Sequence, residues 1–148
     1  MATVVGSDSN NWLDGTAGAD TLKGLGGNDT LKGGGGADHL DGGTGIDTAL
    51  YADSSAGVSV SLMTGNGFAG SAHGDKLFGI ENIWGSSYND VLTGDNGTNE
   101  LVGLDGDDFL YGKGGADLLD GGYGRDFLEG GAGADILNGG PGVDVVTY

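Results

Sequence analysis

The chain has 148 residues, 36 of them Gly, with 22 acidic against 5 basic residues and a formal net charge of −17. That charge argues against nucleic acid or anionic membrane as partners, and the absence of Cys removes disulfides and thiolate metal sites. No run approaches the roughly 18 apolar residues of a membrane span. So much Gly is compatible with a flexible linker, but here the glycines recur at a fixed spacing. The spacing is nine rather than three and there is a single Pro, which excludes collagen.

Residues 1–5 read as a leader, and MATVVGSDSNNW has neither the basic segment nor the apolar core of a secretory signal peptide. From Gly6 the chain runs in nines: GSDSNNWLD, GTAGADTLK, GLGGNDTLK, GGGGADHLD, GGTGIDTAL. This first array covers 6–50, and its opening unit is degenerate, with Ser9 for Gly and Asn11 for Asp. Residues 51–84 leave the pattern. Val58, Val60 and Leu62 alternate with Ser59 and Ser61, which predicts a half-buried strand. GNG at 65–67 predicts a turn. GSAHGDKLF at 70–78 returns to phase, with Asp75 in sixth place and Leu77 in eighth, and GIENIW at 79–84 predicts another short strand. The segment is expected to form longer β-coils inserted in one continuous stack.

The second array covers 85–148: GSSYNDVLT, GDNGTNELV, GLDGDDFLY, GKGGADLLD, GGYGRDFLE, GGAGADILN and GGPGVDVVT, then Tyr148. GGPGVDVVTY at the end mirrors GGTGIDTALY at 42–51, so the chain is expected to be part of a longer protein of several modules. A fixed period this short predicts a repeat architecture. Each nine divides into a six-residue Gly-rich turn and a three-residue strand whose central residue faces the core. That residue is Leu in ten of the twelve units, with Ala49 and Val146 in the others. Two nines make one coil, and coils stack about 4.8 Å apart as parallel strands. The predicted fold is all-β, a parallel β-solenoid with a thin Leu core.

Ten of the nineteen Asp share the sixth place: Asp20, Asp29, Asp38, Asp47, Asp90, Asp108, Asp117, Asp126, Asp135 and Asp144, with Asn11 and Asn99 in the same phase. Units one coil apart share an edge, so these carboxylates form files of like charge. Such a file is destabilising without a cation. Ca²⁺ prefers six or more oxygens, and a carboxylate pair with Gly-turn carbonyls suits it better than Mg²⁺. Pairing along each array predicts about eight ions, whose charge would nearly cancel the −17; Asp75 is a further candidate.

GGAGADILN and GGYGRDFLE resemble the GGxGxDxUx nonapeptides of the repeats-in-toxin family, where U is a large apolar residue. The resemblance covers 6–50 and 85–147 closely and 70–78 loosely. It implies a right-handed parallel β-roll, non-enzymatic, that folds on extracellular Ca²⁺ and leaves the cell by type I secretion, although the family's C-terminal export signal is not recognisable. It also implies carbonyl ligands from the first four places: Gly15, Gly24, Gly26, Gly33, Gly35, Gly42, Gly103, Asp105, Gly112, Gly114, Gly121, Tyr123, Gly130, Ala132 and Gly139. The assignment transfers well to 15–41 and 103–147 and poorly to GSDSNNWLD, GSSYNDVLT and GDNGTNELV. Partners on this reading are calcium ions and neighbouring modules of the parent protein. The alternatives are a polysaccharide-binding accessory module for alginate-like chains, weakened by only five basic residues, and an adhesive or ice-binding segment, weakened because Thr21, Thr30 and Thr48 have no counterparts in the second array. Trp12 and Trp84 are expected as core or as covers over the stack, and no catalytic constellation is present.

Overall fold

Two nines should return the chain to its starting edge, placing residue i beside residue i+18. That is the register of the computed structural model, which describes residues 1–148. It contains seventeen strands: β1 (Thr3–Val5), β2 (Trp12–Thr16), β3 (Thr21–Gly26), β4 (Thr30–Gly34), β5 (His39–Thr44), β6 (Thr48–Leu50), β7 (Ser59–Ser61), β8 (Asn66–Ala69), β9 (Lys76–Phe78), β10 (Asn82–Trp84), β11 (Val91–Thr93), β12 (Glu100–Asp105), β13 (Phe109–Gly115), β14 (Leu118–Tyr123), β15 (Phe127–Gly133), β16 (Ile136–Asn138) and β17 (Val145–Thr147). They form a ten-stranded sheet ordered β1-β3-β5-β9-β8-β7-β11-β13-β15-β17 and a seven-stranded sheet ordered β16-β14-β12-β10-β6-β4-β2. The result is a parallel β-solenoid of about eight coils. Its only helical piece is the 3₁₀ turn Gly70–Ala72.

Eighth-place residues stack on their counterparts coil after coil. On the smaller sheet the column is Leu13, Leu31, Ala49, Ile83, Leu101, Leu119 and Leu137. On the larger it is Val4, Leu22, Leu40 and Leu77, then Val60, Leu92, Leu110, Leu128 and Val146. Most of these side chains are fully buried and form one cluster between the sheets. Seventh-place Val91, Phe109, Leu118, Ile136 and Val145 point outward and are exposed, as the alternation predicts.

Several strands run past three residues into the turns. Leu25 pairs with Gly43 and Leu104 with Gly122, so the turns themselves stack in register. This close stacking demands glycine where one open turn follows another. Gly122 has φ +93, and a Cβ there would lie 1.9 Å from the Leu104 carbonyl oxygen.

The inserted stretch lies within the stack, but one of its strands runs backwards. Chain leaving β6 crosses to β7, which pairs parallel with β11. It returns along β8, antiparallel to β7 and β9, and β9 then rejoins β5 in parallel. The reversal occurs at Leu62–Gly65, one step before the predicted GNG turn; Gly65 has φ +64 and donates to the Leu62 carbonyl at 3.1 Å. Asn66 and Gly67 already belong to β8. The larger sheet therefore gains three strands where the smaller gains only β10. Tyr51, Val58, Ala72 and Ile80 fill the added interior.

Trp12 and Trp84 are not core. They are 62% and 41% exposed on the outer face of the smaller sheet, because each neighbours an eighth-place residue that takes the inward direction. Trp12 instead donates from Nε1 to Asp14 at 3.0 Å. Thr21 lies on the opposite sheet from Thr30 and Thr48, so these three form no single row.

The core is one residue thick, so a lost side chain has no second layer to fill the void. Leu101→Ala is expected to destabilise the folded chain by about 2–5 kcal/mol. Urea denaturation followed by circular dichroism checks this; a change within about 0.5 kcal/mol would mean that the Leu column is not the core.

Candidate metal centre

The structure brings the sixth-place residues into two files, one on each edge of the solenoid. One edge carries Asn11, Asp29, Asp47, Asn99, Asp117 and Asp135. The other carries Asp20, Asp38 and Asp75, then Asp90, Asp108, Asp126 and Asp144. One bond recurs along both files. The backbone N–H of a sixth-place residue donates to Oδ1 of the Asp one coil on: Asp20 to Asp38 at 2.8 Å, Asp29 to Asp47 at 2.7 Å, Asp90 to Asp108 at 2.7 Å, Asp108 to Asp126 at 2.9 Å and Asp117 to Asp135 at 3.0 Å. Asp75 receives Asp38 in the same way at 2.8 Å.

The second oxygen divides the turns into two kinds. In the units opening at Gly6, Gly15, Gly85 and Gly94, the turn closes on its own side chain. Ser7 N–H donates to Asn11 Oδ1 at 2.6 Å, Thr16 N–H and hydroxyl to Asp20 Oδ2 at 2.6 Å each, Ser86 N–H to Asp90 Oδ2 at 2.5 Å, and Asp95 N–H to Asn99 Oδ1 at 2.8 Å. In the others no such bond forms. Oδ2 of Asp29, Asp38, Asp47, Asp108, Asp117, Asp126 and Asp135 is buried without any hydrogen-bond partner.

The difference lies in the second-place residue. In the open turns it has positive φ: Leu25 at 79°, Gly34 at 91°, Gly43 at 102°, Leu104 at 83°, Lys113 at 79°, Gly122 at 93°, Gly131 at 97° and Gly140 at 84°. Ser7, Thr16, Ser86 and Asp95 do not. Positive φ turns over the peptide between places one and two, so the first-place carbonyl replaces the second-place N–H as the group facing inward. A Cβ built on Gly24 would lie 2.1 Å from Asp29 Oδ2 and 2.3 Å from the Gly42 carbonyl oxygen. On Gly103 the distances are 2.2 Å to Asp108 Oδ2 and 2.5 Å to the Gly121 oxygen, and on Gly112 they are 2.5 Å to both Asp117 Oδ2 and the Gly130 oxygen. Two acceptors thus converge with no donor between them. A buried polar atom without a partner is costly, and acceptors without donors are what a hard cation satisfies. Nowhere do three or more His, Asp or Glu side chains converge, so a cation here would need carbonyl oxygens beside the carboxylates.

Burial is the leading cause that raises the carboxyl pKa of Asp38, Asp47, Asp90, Asp117 and Asp126 above the usual range. Asp108 rises to about 7, through burial and then the charges of Asp90, Asp126 and Asp107. Asp20, bonded first by the Thr16 hydroxyl and then by the Ala2 N–H, is lowered instead.

Four features of the site were not foreseen. Asp75, a candidate ligand, is already satisfied: its Oδ2 accepts the hydroxyl of Tyr51 at 3.1 Å, and Tyr51 is 2% exposed. Burial, followed by the charge of Asp38, raises Asp75 to about 6. Asp20 sits in a closed turn, although GTAGADTLK matches the repeat well. Glu81 occupies a sixth-place seat, since Asn82 pairs with Thr48 as a seventh-place residue does; counting back from Ile83 as eighth would have revealed it. Finally, fifth-place residues make an outer ladder. Asn28 N–H donates to Asn10 Oδ1 at 2.8 Å, Asp107 N–H to Asn89 Oδ1 at 3.0 Å, and Arg125 N–H to Asp107 Oδ1 at 2.9 Å.

These features define a parallel β-roll whose Gly-rich turns present files of unpartnered carboxyl oxygens beside backbone carbonyls. The profile of the RTX calcium-binding nonapeptide repeat matches four times, over residues 3–24, 14–49, 77–110 and 111–146. The chain belongs to that family, a structural calcium-binding module. No curated protein matches it, and no helix is long and apolar enough to cross a membrane.

The raised carboxyl pKa values carry a sign. A group that holds its proton more tightly when folded makes folding less favourable once ionised. This penalty vanishes as pH falls from about 7, the folded value for Asp108, towards 3.8. The lowered groups Asp20 and Asp107 lose their stabilisation only below 3.8, outside that window. In excess chelator the chain is therefore expected to hold more β structure at pH 4.5 than at pH 7.5, read by circular dichroism. Less β structure at pH 4.5 would show that the files are not the dominant strain.

Proposed function

We propose that the chain is a Ca²⁺-dependent folding module of a larger secreted protein, disordered where Ca²⁺ is scarce and ordered outside the cell. The observation that carries this reading is the set of seven buried Oδ2 atoms without partners, many with a Gly carbonyl converging on the same spot. Asp29, Asp38, Asp47, Asp108, Asp117, Asp126 and Asp135 would hold the ions, together with Asp144, whose turn has the same second-place geometry. The first-place carbonyls of Gly42, Gly121 and Gly130 would share the sites of Asp29, Asp108 and Asp117, and the third-place carbonyls of Gly26, Gly35, Asp105, Gly114, Tyr123 and Ala132 would add further ligands. This gives about eight ions by a count of open turns.

The bound ion supplies positive charge between carboxylates that otherwise repel. The chain's own residues do the rest: Oδ1 fixes each carboxylate through the N–H of the coil before, which leaves Oδ2 held in place and dry. Binding free energy then becomes folding free energy. Affinities of roughly 10⁻⁴ to 10⁻³ M would suit extracellular Ca²⁺, sharpened by coupling between neighbouring coils. RTX repeat proteins are typically extracellular, and secretion by a type I route with neighbouring modules as partners belongs to the same proposal.

Circular dichroism during a Ca²⁺ titration tests the reading; a full β spectrum in excess chelator at pH 7.5 would sink it. The two kinds of turn sharpen the test. Asp126→Asn is expected to lower the number of bound ions, because it removes an unpaired oxygen's charge. Asp20→Asn is expected to leave the number unchanged, because Thr16 already satisfies that carboxylate. Equal losses in both, measured by calorimetry, would show that the closed turns bind too.

A further inference from the structure

Asp47 ends the regular part of its file, since the next coil is not a nonapeptide. It is 0% exposed, and its Oδ2 has no partner. Yet the surroundings of that oxygen repeat those of the open turns. A Cβ built on Gly42 would lie 2.5 Å from Asp47 Oδ2 and 2.1 Å from the carbonyl oxygen of Gly79. Gly79 thus takes the role that the first-place glycine of the following coil plays elsewhere. Asp47 N–H donates to Glu81 Oε2 at 2.9 Å, the bond that a sixth-place Asp otherwise accepts through Oδ1. Glu81 and Asn82 N–H both donate to the Asp47 carbonyl, at 3.1 and 2.9 Å.

The turn from Gly79 to Glu81 has lost half of the usual six residues. A shorter turn carries its sixth-place backbone less far round the edge, and the extra methylene of Glu makes up the reach. On the far side, the file closes without a charge: Asn99 Nδ2 donates to the Glu81 carbonyl at 2.8 Å. Asp47 Oδ2 has no such donor.

We propose that Asp47 Oδ2, the Glu81 carboxylate and the Gly79 carbonyl form a Ca²⁺ site outside the nonapeptide pattern, one that clamps the first array to the segment leading into the second. The site rests on the Ca²⁺ reading above. It ties the first array to the coil that leads into the second, because the ion is shared between Asp47 and the pair Gly79 and Glu81.

The test compares the wild-type chain, Glu81→Gln and Glu129→Gln in saturating Ca²⁺ by native mass spectrometry, with amide hydrogen exchange alongside. Glu81→Gln keeps an oxygen for the Asp47 N–H and removes the charge. It is expected to bind one ion fewer and to lose protection around Asp47 and Glu81, whereas Glu129→Gln, on the outer face of β15, keeps the wild-type number. An unchanged ion count and unchanged protection in Glu81→Gln would overturn the site. Wild type that binds no Ca²⁺ would instead remove the reading on which it rests. Should Glu81→Gln fail to fold, Glu81→Asp, which keeps the charge but shortens the reach, is expected to raise the Ca²⁺ midpoint for ordering this segment at least tenfold; an unchanged midpoint would also overturn it.

Discussion

Everything in this solenoid depends on one hydrogen bond repeated every eighteen residues, from a sixth-place N–H to the carboxylate one coil on. It satisfies a backbone donor that the tight turn would otherwise leave unpaired. In doing so it draws each carboxylate into the edge of the stack and removes it from water. The same bond that builds the edge therefore creates its electrostatic cost, visible in the raised pKa of Asp108. A thin Leu core cannot easily absorb that cost. A fold of this kind needs either a donor or a cation at the other oxygen, and the chain supplies a donor in only some of its turns.

The choice between donor and cation is made by a backbone angle two places into each turn. With negative φ, Thr16 and Ser86 turn their N–H onto Asp20 and Asp90. With positive φ, Leu104 and Gly122 withdraw it, and a carbonyl faces inward instead. Leu25, Leu104 and Lys113 adopt this conformation without being glycine, which costs an L-residue roughly 1–2 kcal/mol. That the strain is tolerated at this place and nowhere else among non-glycine residues fits a turn whose purpose is to keep Oδ2 free.

The period of nine made most of the fold legible. It set the eighteen-residue register, the Leu column, the outward seventh place and the two files of Asp, because each follows from counting alone. What counting could not reach was anything decided by the sign of a dihedral or by a break in phase. Leu25 and Thr16 occupy the same place in neighbouring units and differ in φ; the closed turns carry Ser, Thr or Asp there and the open ones Gly, Leu or Lys, a difference that lies outside the Gly, Asp and Leu columns of the repeat. The reversal of β8 is hidden because Asn66–Ala69 carries no distinctive alternation. Trp12 and Trp84, expected as core or as covers over the stack, face outward, because the side-chain direction of a strand is set by its phase and not by hydrophobicity. Glu81 was obscured by the missing turn residues before it.

The closed turns are not scattered. They are the first two units of each array, at Gly6 and Gly15 and again at Gly85 and Gly94, so each array opens with one closed turn on either edge. An open turn's carbonyl faces the glycine of the coil before it: Gly24 faces Gly6, Gly33 faces Gly15, Gly103 faces Gly85 and Gly112 faces Gly94. Every open turn consequently stacks on something already in place, and the first of them stacks on a turn that needs no ion. The non-glycine second-place residues fit this order. Leu25, Leu104 and Lys113 each follow a closed turn, but so does Gly34, where a Cβ would lie 2.1 Å from the Thr16 carbonyl oxygen, as close as the contacts at Gly43, Gly122 and Gly131. The direction is built into the stack: turns closed by their own donors come first, and the open turns that follow face back onto them.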